Sequence, residues 1–246
     1  MVFNLFTKIV LSPIYYIIHH NYFFGFIHKF IIKDFYYKNL KFELKIKSIP
    51  LQNYASFLFK TYEYNDRKLI ERHINSKNRS IILGGGLGFI PVLTYKFSGN
   101  KILVFEINKR IIKNLKKNLI KNNAKFKLYN NNFFYKKTKN KYFFFSKDFL
   151  ATSSKIRTSK KVLIKNLEKN KIKDFNKYNT LILDIEGDED YYILNIKKFT
   201  KIKYLFFELH YNIIDKIKRE KIMYVLKKNN FKLIDKCFNS YYFVRG

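Results

Sequence analysis

Residues 82–91 read ILGGGLGFIP. The chain holds 8 glycines in 246 residues, and four of them, Gly84, Gly85, Gly86 and Gly88, fall in this stretch. The apolar run Ser80–Leu83 precedes them, and an apolar segment opening at Phe89 follows. Pro91 falls in the first turn of that segment, where a missing N–H does a helix no harm. A glycine cluster between a strand and a helix lets the backbone turn sharply and approach a ligand closely.

Downstream of the bend, short β-branched or aromatic runs alternate with helical patterns. Strands are expected over 101–105, 125–129, 180–184 and 204–209. Helices are expected over 89–97, 108–122, 188–196 and 215–228. In the second helix Ile111, Ile112, Leu115, Leu119 and Ile120 share one face, and Asn108 is read as its cap. The segments YFFFS and KVLIK look strand-like, with the polar ATSSKIRTSK between them as a loop. Runs 231–235 and 240–244 are too close for a crossover, so they pair antiparallel. The expected fold is α/β and Rossmann-like: a mostly parallel sheet covered on both faces, with an antiparallel C-terminal hairpin. The boundaries are a helical, aromatic-rich extension over 1–78 and a second domain over 79–246.

The spacing of the glycines selects among nucleotide sites. A P-loop needs Gly-Lys followed by Ser or Thr, which is absent. A G-x-G-x-x-G fingerprint finds Gly84 and Gly86 but Phe89 in its third place. What remains is G-x-G-x-G, the spacing of S-adenosylmethionine (SAM) sites, so Gly84, Gly86 and Gly88 are expected to admit that cofactor. VFEIN sets Glu106 at the carboxyl end of the second strand, about twenty residues on, where a carboxylate can accept from both ribose hydroxyls. LILDIEGDED gathers five of the chain's 18 Asp and Glu into seven positions. Asp188 to Asp190 suit the first turn of a helix. Asp184 and Glu186 lie at the carboxyl end of a strand, where open α/β sheets bind ligands, and Gly187 allows a tight exit. FFELHYN places Glu208 and His210 on the same rim.

On LGGGLGF, VFEIN with NLKKNLIKNN, LDIEGDED and FFELH, the chain resembles the FkbM-type methyltransferases over residues 79–210. One position departs: where that family has Asp or Glu two residues before the first glycine, this chain has Ile82. The resemblance implies a class I SAM-dependent fold and methyl transfer to oxygen, commonly a sugar hydroxyl in a glycan or glycolipid. Asp184, Glu186 and His210 are the candidates for substrate contact and general base, with histidine's unperturbed pKa the most suitable. The acids could instead hold a divalent metal such as magnesium, a reading not favoured. Two alternatives to an O-methyltransferase stay open: a SAM-binding module without catalysis, and an RNA-directed methyltransferase.

The formal net charge is +32. Lys is dispersed rather than blocked, which marks a solvated surface, so nucleic acid is not the expected partner. A single cysteine, Cys237, excludes an intrachain disulfide and suits a reducing cytoplasm. Residues 9–27 carry no charged side chain and approach the ~20 residues of a bilayer span, but Pro13, His19, His20 and Asn21 interrupt them. They are read as a buried cap, an interfacial segment at the inner face of the membrane, or a span.

Overall fold

The computed structural model describes residues 21–44, 49–134, 141–145, 152–153 and 160–246. The chain divides into two compact units, Met1–Tyr64 and Asn65–Gly246.

In the first unit, α1 (Tyr22–Phe26) is capped by Asn21, whose side-chain oxygen accepts from Phe23 N at 2.8 Å and Phe24 N at 3.3 Å. A π-helical turn, Ile27–Ile32, continues it. Strands β1 (Asp34–Tyr37) and β2 (Leu40–Glu43) pair antiparallel. Their turn residues, Lys38 and Asn39, both have positive φ, the twist that a two-residue hairpin loop favours. Phe35 and Phe42 face each other across the hairpin and are both buried, and Phe35 packs against Phe57 of α2 (Tyr54–Leu58). The helical extension read from the sequence therefore also contains a hairpin; β2 reads LKFE, with Leu40 and Phe42 buried and the residues between them less so, a period of two that a helix does not have. Residues 9–20 of the apolar segment, His19 and His20 included, lie outside the described residues. Among the described residues no helix is long and apolar enough to cross a membrane.

In the second unit α3 (Tyr64–His73) is followed by β3 (Ser80–Leu83), α4 (Phe89–Ser98), β4 (Ile102–Phe105), α5 (Ile112–Lys121) and β5 (Phe126–Tyr129). Short strands β6 (Asn132–Phe134), β7 (Lys141–Phe145), β8 (Thr152–Ser153), β9 (Lys160–Ile164) and β10 (Asn166–Glu168) come next. The chain then runs through β11 (Thr180–Leu183), α6 (Glu189–Leu194), β12 (Tyr204–Glu208), α7 (Lys216–Lys228), β13 (Phe231–Cys237) and β14 (Ser240–Arg245).

The main sheet has the order β13-β14-β12-β11-β3-β4-β5. Strands β5, β4, β3, β11 and β12 are parallel, and β14 runs antiparallel between β12 and β13. Strands β3, β4 and β11 are buried at every position, as parallel strands covered on both faces must be. The chain leaves β3 for β4 and β5 on one side, then returns to β11 and β12 on the other. The carboxyl ends of β3 and β11 thus form the switch point where such sheets bind ligands. This is the Rossmann-like class I methyltransferase fold with its antiparallel C-terminal pair.

Outside that sheet, β7 and β9 pair antiparallel, which joins the two strand-like segments read from the sequence. Part of the expected polar loop, Thr152–Ser153, pairs with β7 as β8, and residues 154–159 lie outside the described residues. The parallel pair β6 and β10 had no signal in the sequence.

The amphipathic helix differs at both ends from its expected form. It starts at Ile112 without a side-chain cap. Asn108 is buried four residues earlier, where its N–H donates to Glu106 and its side-chain oxygen accepts from Arg110 N. Ile120 is exposed, because it lies beyond the stripe that Ile111, Leu115 and Leu119 bury. Asn118 on the buried face donates through Nδ2 to the carbonyl of Leu87 at 2.9 Å, tying α5 to the glycine bend. Asn118→Ala leaves that buried carbonyl unpaired and should cost about 1–3 kcal/mol. Urea unfolding would show it as a lower midpoint at unchanged slope; an unmoved midpoint would remove the tie.

Candidate active site

The bend after β3 is built by close contacts. Gly84 N and Gly85 N both donate to the Phe105 carbonyl at the end of β4, at 3.0 and 3.1 Å. Gly84 has φ +87°, and a Cβ there would stand 1.7 Å from the carbonyl oxygen of Asp184. A Cβ on Gly85 would strike Leu115 and Val104 at 2.7 and 2.8 Å. Gly88, at φ +92°, opens α4 and packs against Leu115. Gly86 donates its N–H to Glu106 Oε2 at 3.0 Å, while Glu106 Oε1 accepts from Asn108 N at 2.7 Å. The bend and the carboxylate are therefore joined by one hydrogen bond. Burial pushes the Glu106 carboxyl up to about 7, against the pull of backbone donors led by Asn108 and Gly86. Glu106 lines one cleft with Gly84, Asn131, Asp184, Glu186 and Tyr192. Gly86 and Gly88 lie behind this lining rather than in it.

The acidic stretch makes the opposite wall. After β11 the chain passes through two left-handed residues in succession, Glu186 at φ +55° and Gly187 at φ +99°. A non-glycine residue there is strained, and such strain collects at functional sites. Glu189 closes the turn: it is fully buried, and its Oε1 accepts from Ile185 N at 3.2 Å and Gly187 N at 3.1 Å. The same oxygen accepts from His210 Nδ1 at 3.0 Å. The other imidazole nitrogen, Nε2, stands 3.3 Å from Glu186 Oε2, 3.8 Å from Asp184 Oδ1 and 3.9 Å from Glu208 Oε2. Asn239 Nδ2 donates to the other oxygen of Glu208.

Four carboxylates therefore converge on one imidazole. Burial alone would lower the His210 pKa; the hydrogen bond it donates to Glu189 and the charges of Glu189, Asp184 and Glu186 outweigh it and raise it to about 10. Burial, then the charge of Glu208, hold the Asp184 carboxyl well above the usual carboxylate range. Burial raises Glu186 as well, with His210 opposing.

Asp184, Glu186 and His210, expected on one rim, come together, and Glu106 sits across the cleft from the two acids. Glu189 was read only as an acid in the first turn of a helix. Its side chain instead folds back over the preceding turn, and nothing in a run of Asp-Glu-Asp distinguishes the member that does so.

No family model matches the chain, and no curated protein matches it. Among solved structures, the ribosomal protein L11 methylase of Lactobacillus delbrueckii subsp. bulgaricus is similar at 14% identity, over 73% of this chain and 76% of that one, with TM-score 0.46. TYW2 of P. horikoshii, in complex with MeSAdo, gives 10% identity, 86% and 68% coverage and TM-score 0.47. The tRNA (m1A58) methyltransferase TrmI of Aquifex aeolicus gives 13%, 73% and 66%, and 0.42. The assignment of fold rests on strand order, not on these values.

Two expectations are corrected here. The resemblance to FkbM-type methyltransferases is withdrawn, because no family model matches and the similar structures are of other kinds. Its motifs, a glycine bend and acids at the ends of successive strands, belong to the fold at large, and the glycan acceptor goes with it. Nucleic acid as an unlikely partner is also withdrawn: a tRNA methyltransferase stands among the similar structures, and a dispersed charge does not weigh against a polyanion.

Proposed function

We propose that the chain is a SAM-dependent methyltransferase with its cofactor in the cleft between Glu106 and Asp184. The observation that carries this reading is the hydrogen bond between Gly86 N and Glu106 Oε2 at the switch point of the sheet. The residues fit the cofactor: a buried carboxylate lines the cleft where a ribose diol can donate to it, and Gly84 presents no side chain there. When bound, SAM supplies a methyl group made electrophilic by its sulfonium. Glu106 in ionised form accepts from the diol. Asp184 and Glu186, raised above ordinary carboxylates, are the groups suited to take the proton that leaves the acceptor. His210, a cation while no metal is bound, cannot act as the base at neutral pH and serves to hold the carboxylates together. Calorimetric titration with S-adenosylhomocysteine tests the reading. Saturable binding near one per chain is expected, and absence of binding by both S-adenosylhomocysteine and SAM rejects it.

For the acceptor, the net charge of +32 favours a polyanion such as RNA. RNA binding should then fall steeply between low and physiological salt. Absence of binding at low salt would dismiss an RNA acceptor while leaving cofactor binding untouched.

A further inference from the structure

We propose that His210 Nε2, Asp184 Oδ1 and Glu208 Oε2 form a site for a divalent first-row transition-metal ion. The atoms of Asp184, Glu208 and His210 lie within 4.8 Å of one another. From His210 Nε2, Asp184 Oδ1 and Glu208 Oε2 stand at 3.8 and 3.9 Å. Two ligands each about 2.1 Å from one ion are separated by about 3 to 4 Å in tetrahedral or octahedral geometry. The imidazole nitrogen thus stands at coordination-shell spacing from both carboxylates.

A second observation comes from behind the ring. Metal-bound histidines hand their other N–H to a carboxylate, which fixes the ring and aims the free nitrogen at the ion. Glu189, fully buried, does this at Nδ1, 3.0 Å away. Its Oε2 has no partner among the described residues. Asn239 fixes Glu208 in the same manner. Charge points the same way. In a chain of net charge +32, Asp184, Glu189 and Glu208 form no ion pair with Lys or Arg among the described residues, only with His210. One imidazolium brings a single positive charge to these carboxylates; a divalent ion in place of its proton brings two. One nitrogen with several carboxylate oxygens suits manganese, iron(II) or zinc better than an all-oxygen ion.

The site shares Asp184 with the cleft of the methyltransferase reading but is tested without SAM. Mn²⁺ is titrated into the metal-stripped full chain and followed by electron paramagnetic resonance. One saturable ion per chain is expected. Asp184→Asn and Glu208→Gln should each weaken binding at least about 10-fold, and Glu189→Gln, a positioning change, about 10- to 100-fold. Non-saturable binding, or undiminished affinity in both ligand variants, overturns the proposal. If the variants do not fold, the wild type decides. Substoichiometric Mn²⁺ should broaden the ring resonances of one of the five histidines; even broadening of all five, or of none, overturns it. Calorimetry with S-adenosylhomocysteine in the absence of metal reports separately on the methyltransferase reading.

Discussion

Gly84→Ala should lose the folded state: stability falls by more than about 4 kcal/mol, the range reserved for severe steric or electrostatic damage. The added Cβ would lie 1.7 Å from the Asp184 carbonyl oxygen, with the backbone at φ +87°. That oxygen belongs to the neighbouring strand's exit and cannot retreat, because Asp184 N donates to Leu83 O at 3.0 Å and pins β11 to β3. Relief would require opening the central strand pair of the sheet, where Leu83 and Leu183 are both buried. Gly99→Ala is the matched control. Its φ is +67°, but a Cβ there meets nothing within 4 Å. It should cost only the left-handed penalty of about 1–2 kcal/mol. Equilibrium unfolding in urea compares the two. A soluble Gly84→Ala protein as stable as Gly99→Ala would mean that the two strands do not approach as described.

The central sheet was legible because its strands are written in one chemical alphabet. SIIL, ILVF and TLIL are apolar apart from an opening Ser80 or Thr180, and each is followed by a glycine or an acid. The antiparallel pair at the C-terminus was legible from the short connection between its strands. What escaped reading depends on contacts across the chain. The hairpin of Phe35 and Phe42 joins a strand of alternating pattern, LKFE, to one without it, DFYY, and their pairing across a two-residue turn is written in neither alone. The start of α5 moved because Glu106 engages Asn108 N, a competition between carboxylate and helix that no local propensity contains. Glu189 was misjudged for a like reason. At a helix N-terminus an acid is expected to face solvent and the dipole, whereas here the amides of Ile185 and Gly187 and the ring of His210 draw it inside. The family resemblance failed where residue letters were shared by a fold rather than by a chemistry, and Ile82, buried in β3, was the one letter that disagreed.

Affinity for S-adenosylhomocysteine should rise with pH through about 7 and level off above it. The cause is Glu106, whose carboxyl burial pushes up to about 7 from an ordinary value of 4.5. Only the ionised form accepts from both hydroxyls of a diol, so the protonated fraction subtracts directly from binding. With one proton involved, affinity at pH 5 should be lower than at pH 8 by about 100-fold. Stability of the free protein runs the opposite way. The native state holds this proton where the unfolded chain has released it, so stability decreases as pH rises from about 4.5 to about 7. This group's share of that decrease is about 3 kcal/mol in all. Glu106→Gln separates the two effects. Glutamine offers one acceptor where Gly86 N and Asn108 N each require one, so the bend loses a hydrogen bond and the diol loses its charged partner. Binding at pH 8 should fall by about 100-fold or more, at two charge-assisted bonds of about 1.5–3 kcal/mol each. The pH dependence between 5 and 8 should flatten with it, while whatever Asp184 and Glu186 contribute to the profile persists in the variant and is thereby subtracted. Calorimetry at several pH values reads both quantities. A wild-type affinity that is flat from pH 5 to 8, or a variant that binds like the wild type at pH 8, would place the ribose away from Glu106 and leave that carboxylate as no more than the strut between β4 and the bend.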